Sequence, residues 1–557
     1  MNKHTSDIIL IHPPYVFNKE KYAIFPMPWN LSHVGSSDYI GRYPIGQAWN
    51  IEPLGFYTIK TFIETNSDYS VDIVNLANLK HTVPESLIDK FKHLHMKDRS
   101  ILSDLVETMY PQKVIADIPN LKADLFAVDL HWLNYSQGAI QILQLLKQFH
   151  PDSYTVVGGL TASYFKDEIM KTFSFIDFLI SGDGCVPLLQ LITQIKNKKE
   201  FSKIPNLSYR ENGLVKKGPK RYLSDFDFVR DNDKSTSSIP TARGCPLQCI
   251  TCGGSRYAFK NICNYKEARV YSVEFIMKHL FNRAKEHQEE QLVFLIHDPF
   301  FTLGKKNWAI LLDEIARNRL SIRFLIEFFA PHSREDIYSI AQKVPGSTIH
   351  ISPESMDAEV RTFHKQLKYT NRDLIMNMDV INSIDDLSMQ VWFMAGLAKE
   401  TRESIDRTLS FIESYFKGLR NIEKNSIKYN ELLFIDPGSF AFDFPDKCGY
   451  ALINKSFVSH MESFEMPIFK YQINYRTGHQ TRDQLFDSFL YMHNKMNKIY
   501  YENNIISKEL YDRATLYNIL LEKYSVSYEE AFLEKDRTIR NKNFEKIGNL
   551  FRSELEK

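Results

Sequence analysis

Twice along the chain, short runs of β-branched and aromatic residues alternate with segments of helical period. Few folds accept such a pattern besides parallel sheets joined by crossover helices. The first series holds IILIH (8–12), VDIVNL (71–76), LFAVDLHW (125–132), YTVVGG (154–159) and DFLISG (177–182), with helical patterns near 53–65, 137–149, 163–173 and 187–198. Five strands with crossover helices predict a doubly wound, Rossmann-like domain whose ligand lies outside the carboxyl ends of the strands. Residues 205–217 read as a β-hairpin turning at Glu211-Asn212-Gly213, and the polar stretch 231–238 reads as a linker. The second series begins at 239 with SIPTARG and continues through LVFLIHD (292–298), RFLIEFF (323–329), STIHISPE (347–354), MQVWFMAG (389–396) and YNELLFID (429–436). Six strand–helix units predict a partial (β/α)6 TIM-like barrel, with its chemistry at the carboxyl ends of the strands. The last hundred residues, rich in Lys and Glu at helical spacing, read as a C-terminal helical domain closing over the barrel mouth. The expected fold is thus α/β in three parts, at residues 1–230, 231–455 and 456–557.

Composition narrows the function classes. The 69 Lys and Arg balance 68 Asp and Glu, so there is no basic field to draw in a nucleic-acid backbone. The apolar run at the N-terminus, IILI, is too short for a signal-peptide core, and no stretch reaches the roughly 18 residues that span a bilayer. The expectation is a cytoplasmic protein without nucleic-acid or membrane partners. Of the six cysteines, three crowd into TARGCPLQCITCGGS as Cys245, Cys249 and Cys252, while Cys185, Cys263 and Cys448 lie apart. That is no disulfide framework.

Three thiolates in a CxxxCxxC spacing, with no fourth Cys or His nearby, fit a four-iron, four-sulfur cluster with one open iron better than a closed zinc site, which needs four ligands. The amino and carboxylate groups of S-adenosylmethionine can chelate such an iron. An electron passed to the sulfonium then breaks a carbon–sulfur bond and yields a deoxyadenosyl radical. Gly253 and Gly254 would let the backbone approach this cluster and its ligand closely.

On these residues the chain resembles the radical S-adenosylmethionine superfamily, specifically its cobalamin-binding class, across about its first 450 residues. The superfamily usually has an aromatic residue just before the third cysteine, where Thr251 stands here. The resemblance implies that Glu354, ending the fourth barrel strand in SPES, binds the nucleoside ribose or the methionyl moiety, with Ile349 and Ile351 facing inward before it. The alternative is an ordinary helix N-cap neighbourhood. It also implies that Gly396, in FMAGLAKET, lies close to adenine, with Glu400 capping a helix. Asp298, in HDPFF, either faces the cluster's cavity as a catalytic group holding substrate or methionyl amine, or caps a helix.

The cobalamin side of the resemblance rests on His12-Pro13-Pro14 after the first strand, on VVGG ending in Gly158 and Gly159, and on SGDG around Gly182. The family's Asp-x-His-x-x-Gly, whose His ligates cobalt, is absent after that strand. Asp129-Leu130-His131 imitates it after the third, so His131 reads as a corrin-facing residue, a cobalt ligand or a packed core residue. A Rossmann-like domain that has lost its cofactor remains the alternative. The implied activity is methylation of an unactivated carbon in a small-molecule or peptide substrate, with electrons from a flavodoxin or ferredoxin. A non-methylating radical reaction and a non-catalytic cobalamin or iron–sulfur sensor are the other readings.

Overall fold

The computed structural model describes residues 5–13, 53–76, 116–197, 200–221, 237–263, 267–287, 290–422, 424–464 and 469–555. Pro14 and most of the expected linker lie outside the described residues.

The first sheet contains β1 (Thr5–His12), β2 (Val71–Asn75), β3 (Lys122–Asp129), β4 (Tyr154–Gly158), β5 (Phe178–Ile180), β6 (Leu207–Glu211) and β7 (Leu214–Lys217). Its order is β2-β1-β3-β4-β5-β6-β7, parallel through β5 and antiparallel thereafter. The chain leaves β1 towards β2 and returns on the other side at β3, so the switch point lies between β1 and β3. Residues 8–12 are all buried because both faces of β1 are covered. Ile8 and Leu10 pack with Phe56 and Leu188 from two helices on one face, whereas Ile9 and Ile11 pack with Ile142 and Leu143 from a helix on the other. Asn212 and Gly213, with φ of 54° and 77°, close the hairpin. It extends the parallel sheet as an antiparallel edge, ending on the exposed strand β7 with Lys216 and Lys217.

The second sheet is wholly parallel and follows chain order: β8 (Ser238–Pro240), β11 (Gln291–Ile296), β12 (Ile322–Phe328), β13 (Ser347–Glu354), β14 (Leu387–Ala395) and β15 (Ser426–Leu432). Two short antiparallel pairs accompany it, β9 (Ala242–Arg243) with β10 (Arg269–Val270) and β16 (Tyr450–Leu452) with β17 (Tyr475–Thr477). Along β12 every second residue, Ile322 to Phe328, is buried against the helix layer. Ile349 and Ile351 belong to that same helix-facing core, so they do not face inward as expected. His350, Ser352 and Glu354 take the opposite face.

Among the described residues none of the C-terminal helices lines the space at the carboxyl ends of the strands. The helix Arg482–Glu502 lies along β15 and sends Phe489, Met492 and Met496 into the core of the second sheet. Leu485 and Phe486 join a core that also contains Ile9 and Ile11, so apolar packing runs without a break from the first sheet into the C-terminal helices. Among the described residues no helix is long and apolar enough to cross a membrane.

Candidate functional site

The carboxyl ends of both sheets open into one cavity of about 1090 Å³. Ion pairing and hydrogen bonds hold the two rims together. Arg243, just before the cysteine loop, pairs with Asp183 after β5, and Tyr164 and Tyr257 each donate 2.7 Å hydrogen bonds to Asp443.

On the second rim, Cys245, Cys249 and Cys252 all line the cavity. Gly244 turns the chain into the loop with φ of 84°. The loop is tied down from across the sheet: the Gly253 N–H donates to Asp436 Oδ2 at 2.9 Å, and the Gly254 N–H donates to Cys252 Sγ at 3.3 Å. A Cβ on Gly253 would stand 2.8 Å from Asp436, so only glycine accepts this closure. Burial pushes the Cys245 thiol up to about 12 and raises Cys249 and Cys252 as well, and the thiols are near enough to feel one another's charge. Lys365 opposes the shift at Cys249. Among the described residues no group of three or more His, Cys, Asp or Glu side chains, these cysteines included, is gathered closely enough to hold a metal ion. Three inward thiols on a glycine-tied loop fit a cluster with one open position.

Glu354 also lines the cavity, 6% exposed and with φ of 68°, after an irregular step in the pairing of β13 with β14. Its Oε1 lies 3.5 Å from Lys365 Nζ, whereas Oε2 is buried without a hydrogen-bond partner. Burial raises its pKa against the pull of Lys365. The helix-cap alternative fails, because the following helix, Ala358–Lys365, is capped by Asp357. Lys365 itself donates to the Ser352 carbonyl. Sequence reasoning missed it, since a lysine ending an amphipathic helix reads as a solvated charge. Glu327 and His297 also face the cavity, and burial raises the pKa of the first and lowers that of the second to about 4.

Two expected site residues are elsewhere. Asp298 does not line the cavity. It is fully buried, caps the short helix Pro299–Thr302, and accepts from the Phe329 N–H and from His332 Nε2, each at 2.8 Å. These bonds make Asp298 a structural tie between two strand ends. Gly396 does not line the cavity either: a Cβ there would lie 2.1 Å from the Tyr475 hydroxyl, so β17 occupies that side. Glu400 is no cap, since Thr401 caps the next helix. Its buried carboxyl accepts from the Gly396 N–H at 2.6 Å and from the Tyr429 hydroxyl at 3.1 Å, and burial pushes it up to about 8.

On the first rim, His12, His131, Gly158, Gly159 and Gly182 line the cavity, and Pro13 does not. The glycines have nearer reasons to be glycine than a bulky ligand. A Cβ on Gly159, at φ of 113°, would meet the backbone of Leu130 and His131 at 2.6 Å, and one on Gly182 would stand 3.0 Å from Cys263 Cα. Only Gly158 has ordinary clearance, 3.6 Å to the Ile180 carbonyl. His12 Nδ1 lies 3.0 Å from Asp129 Oδ2 across the switch point. Trp132 reaches from this rim to the cysteine loop, 3.4 Å from where a Cβ on Gly254 would be.

No family model matches the chain. It is 22% identical over 291 residues to an uncharacterized methyltransferase of Pyrococcus horikoshii, a match taking in 49% of this chain and 60% of that protein, so the chain spans less than two thirds of this relative. It superposes on the radical S-adenosylmethionine methyltransferase TsrM of Kitasatospora setae, with cobalamin and an iron–sulfur cluster bound, at a TM-score of 0.55 and 12% identity, covering 99% of this chain and all of that one. Its likeness to the cobalamin-dependent S-adenosylmethionine radical enzyme OxsB, with aqua-cobalamin and S-adenosylmethionine bound, has a TM-score of 0.55 at 13% identity, over 99% of this chain and 80% of that one. The chain thus shares the overall fold of these two enzymes.

Proposed function

We propose that this chain is a cobalamin-dependent radical S-adenosylmethionine enzyme that methylates an unactivated carbon of a small-molecule or peptide substrate. The observation that carries the reading is the single cavity onto which both rims open, with three thiols and Glu354 from one sheet and His12, His131 and Gly158 from the other. When bound, the cluster supplies the electron that cleaves S-adenosylmethionine to a deoxyadenosyl radical, and cobalamin supplies the methyl group, restored from a second S-adenosylmethionine.

The chain's part is to bind, orient and exclude water. Cys245, Cys249 and Cys252 would hold the cluster, and the Gly253 tie to Asp436 fixes their loop. Lys365 holds one oxygen of Glu354, which turns the other, unpartnered oxygen into an acceptor for the hydroxyl or ammonium donors of the nucleoside or methionyl group. Phe328, Phe329, Leu432 and Leu433 give the cavity apolar walls that keep a radical away from water. Electrons would come from a flavodoxin or ferredoxin.

The test is an anaerobic incubation of reconstituted, cobalamin-loaded protein with reductant and S-adenosylmethionine. The reading expects deoxyadenosine together with S-adenosylhomocysteine, the second product reporting methyl transfer. Deoxyadenosine alone would favour a second reading, in which the same scaffold performs a rearrangement, a ring formation or transfer of a fragment of S-adenosylmethionine. Neither product under any loading would overturn both.

A further inference from the structure

Among the described residues, two that line the cavity hold a positive φ without being glycine, and both stand where a strand of the second sheet ends: Glu354 on β13, at 68°, and His297 directly after β11, at 73°. Such side chains seldom take this conformation, and strain of this kind gathers where a site requires it. Each of the two also carries a buried polar atom with no hydrogen-bond partner, Oε2 of Glu354 and Nδ1 of His297. Native structures rarely leave such atoms empty without a reason. Glu354 has its use in the reading above, and His297 has none.

The backbone of His297 is held from the neighbouring strand, where Glu327 Oε2 accepts its N–H at 3.0 Å. Glu327 lines the cavity as well, yet among the described residues no Lys or Arg forms an ion pair with it. The cations on the cavity wall are committed elsewhere, Arg243 to Asp183 and Lys365 to Glu354 and the Ser352 carbonyl. Burial pushes His297 down to about 4, so its imidazole is neutral and one tautomer leaves Nδ1 as an acceptor. Phe329 adds an apolar wall: its ring centre lies 6.4 Å from that of His297 and 5.8 Å from that of Phe301, which is 40% exposed.

A carboxylate without a cation, a neutral acceptor and an aromatic ring in one corner suit the same kind of guest. A primary ammonium offers three donors and a positive charge. The charge complements Glu327, a second donor reaches His297 Nδ1, and the attached carbons lie against Phe329, whose face also attracts a cation. Glu327 would repel a carboxylate or a phosphate here.

We propose that the corner formed by His297, Glu327 and Phe329 is the substrate subsite of the cavity, and that it takes a primary ammonium group carried on an apolar body. This names the substrate class of the enzyme reading above and rests on it. Glu327 and His297 hold the substrate in place, and neither exchanges an atom with it.

The test uses full-length protein carrying the cluster, cobalamin and S-adenosylmethionine, kept oxidised so that nothing is cleaved. It is titrated calorimetrically with 2-phenylethylamine and, separately, with 2-phenylethanol, an uncharged molecule of the same shape. The amine should bind about tenfold or more tightly than the alcohol, a comparison that needs no variant. Glu327→Gln should weaken the amine about tenfold to a hundredfold and leave the alcohol unchanged. His297→Ala should weaken it about threefold to tenfold, and His297→Asn, which accepts the left-handed backbone and restores an acceptor, should recover most of that loss. Iron content and affinity for S-adenosylmethionine, measured before the amine is added, should stay the same in all three variants. Equal binding of amine and alcohol, or no saturable binding of the amine, overturns the ammonium subsite. Weakened S-adenosylmethionine binding in Glu327→Gln, or its displacement by the amine, overturns it as well and gives the corner to the methionyl group. Amine binding by a protein that forms neither deoxyadenosine nor S-adenosylhomocysteine on reduction overturns the enzyme reading and the substrate assignment with it. Those products without selectivity for the amine leave the enzyme reading in place and overturn the subsite alone.

Discussion

The two rims of the cavity obey one topological rule and use it differently. Both present the carboxyl ends of parallel strands to a shared space. The second rim fills that space with reactive side chains: three thiols, Glu354 against Lys365, and Glu327. The first rim is made mostly of backbone, and two of its three conspicuous glycines are required by neighbouring chain, Gly159 by Leu130 and His131 and Gly182 by Cys263. Chemistry at the second rim depends on the identity of side chains, and at the first on close packing around one oriented histidine.

The largest effect expected from breaking this comparison falls on the thiols. Changing any of Cys245, Cys249 or Cys252 to Ala should abolish about four iron and four sulfide per chain, as measured by metal and sulfide analysis. Cys185, Cys263 and Cys448 are the controls, since none belongs to the crowded loop. A Cys263 variant that lost iron as completely as a Cys249 variant would dissolve the distinction between the loop and its surroundings.

Next in size is Glu354→Gln. Removing a charge-assisted acceptor worth about 1.5 to 3 kcal/mol should weaken S-adenosylmethionine binding roughly ten- to a hundredfold, with the cluster intact. Calorimetry showing unchanged affinity would leave Glu354 as a partner for Lys365 and nothing more.

On the first rim, Gly159→Ala should destabilise the chain by about 1 to 3 kcal/mol, because its Cβ meets fixed backbone at positive φ, whereas Gly158→Ala should be nearly neutral. Denaturant unfolding would compare the two. Equal effects would mean that the loop after β4 yields readily, and the packing explanation of these glycines would be lost.

The last effect, read as a pH slope, concerns Glu400. Its folded pKa is about 8 against an ordinary 4.5, so between those values the folded state holds a proton that the unfolded state has released. Stability therefore falls as pH rises through that window, by at most about 1.4 kcal/mol per pH unit. Glu400→Gln should remove that slope, and thermal unfolding at several pH values would reveal an unchanged slope if the assignment were mistaken.

Both sheets were legible in the sequence because their strands are short apolar runs between helical segments, and a run such as IILIH admits little else once both faces are covered. The cysteines were legible because their chemistry and their spacing are local. What escaped was set by distant chain. Lys365 is turned inward by a helix that follows Glu354, Asp436 reaches Gly253 from 183 residues away, and Gly396 is pressed by Tyr475 from β17. In STIHISPE the apolar alternation was visible, but which face met the helix layer depended on Met378 and Leu374, residues of a later helix. Asp298 looked poised at a strand end, and only the His332 and Phe329 contacts show that its oxygens are spent.

The claim that both rims serve one cavity is tested most directly by metal content. Protein purified anaerobically and loaded with iron, sulfide and cobalamin should carry about four iron and about one cobalt per chain, with cobalt and iron signals perturbing one another in the reduced state. Full iron with cobalt at background would contradict the account, leaving the second rim as a working site and the first as scaffold alone.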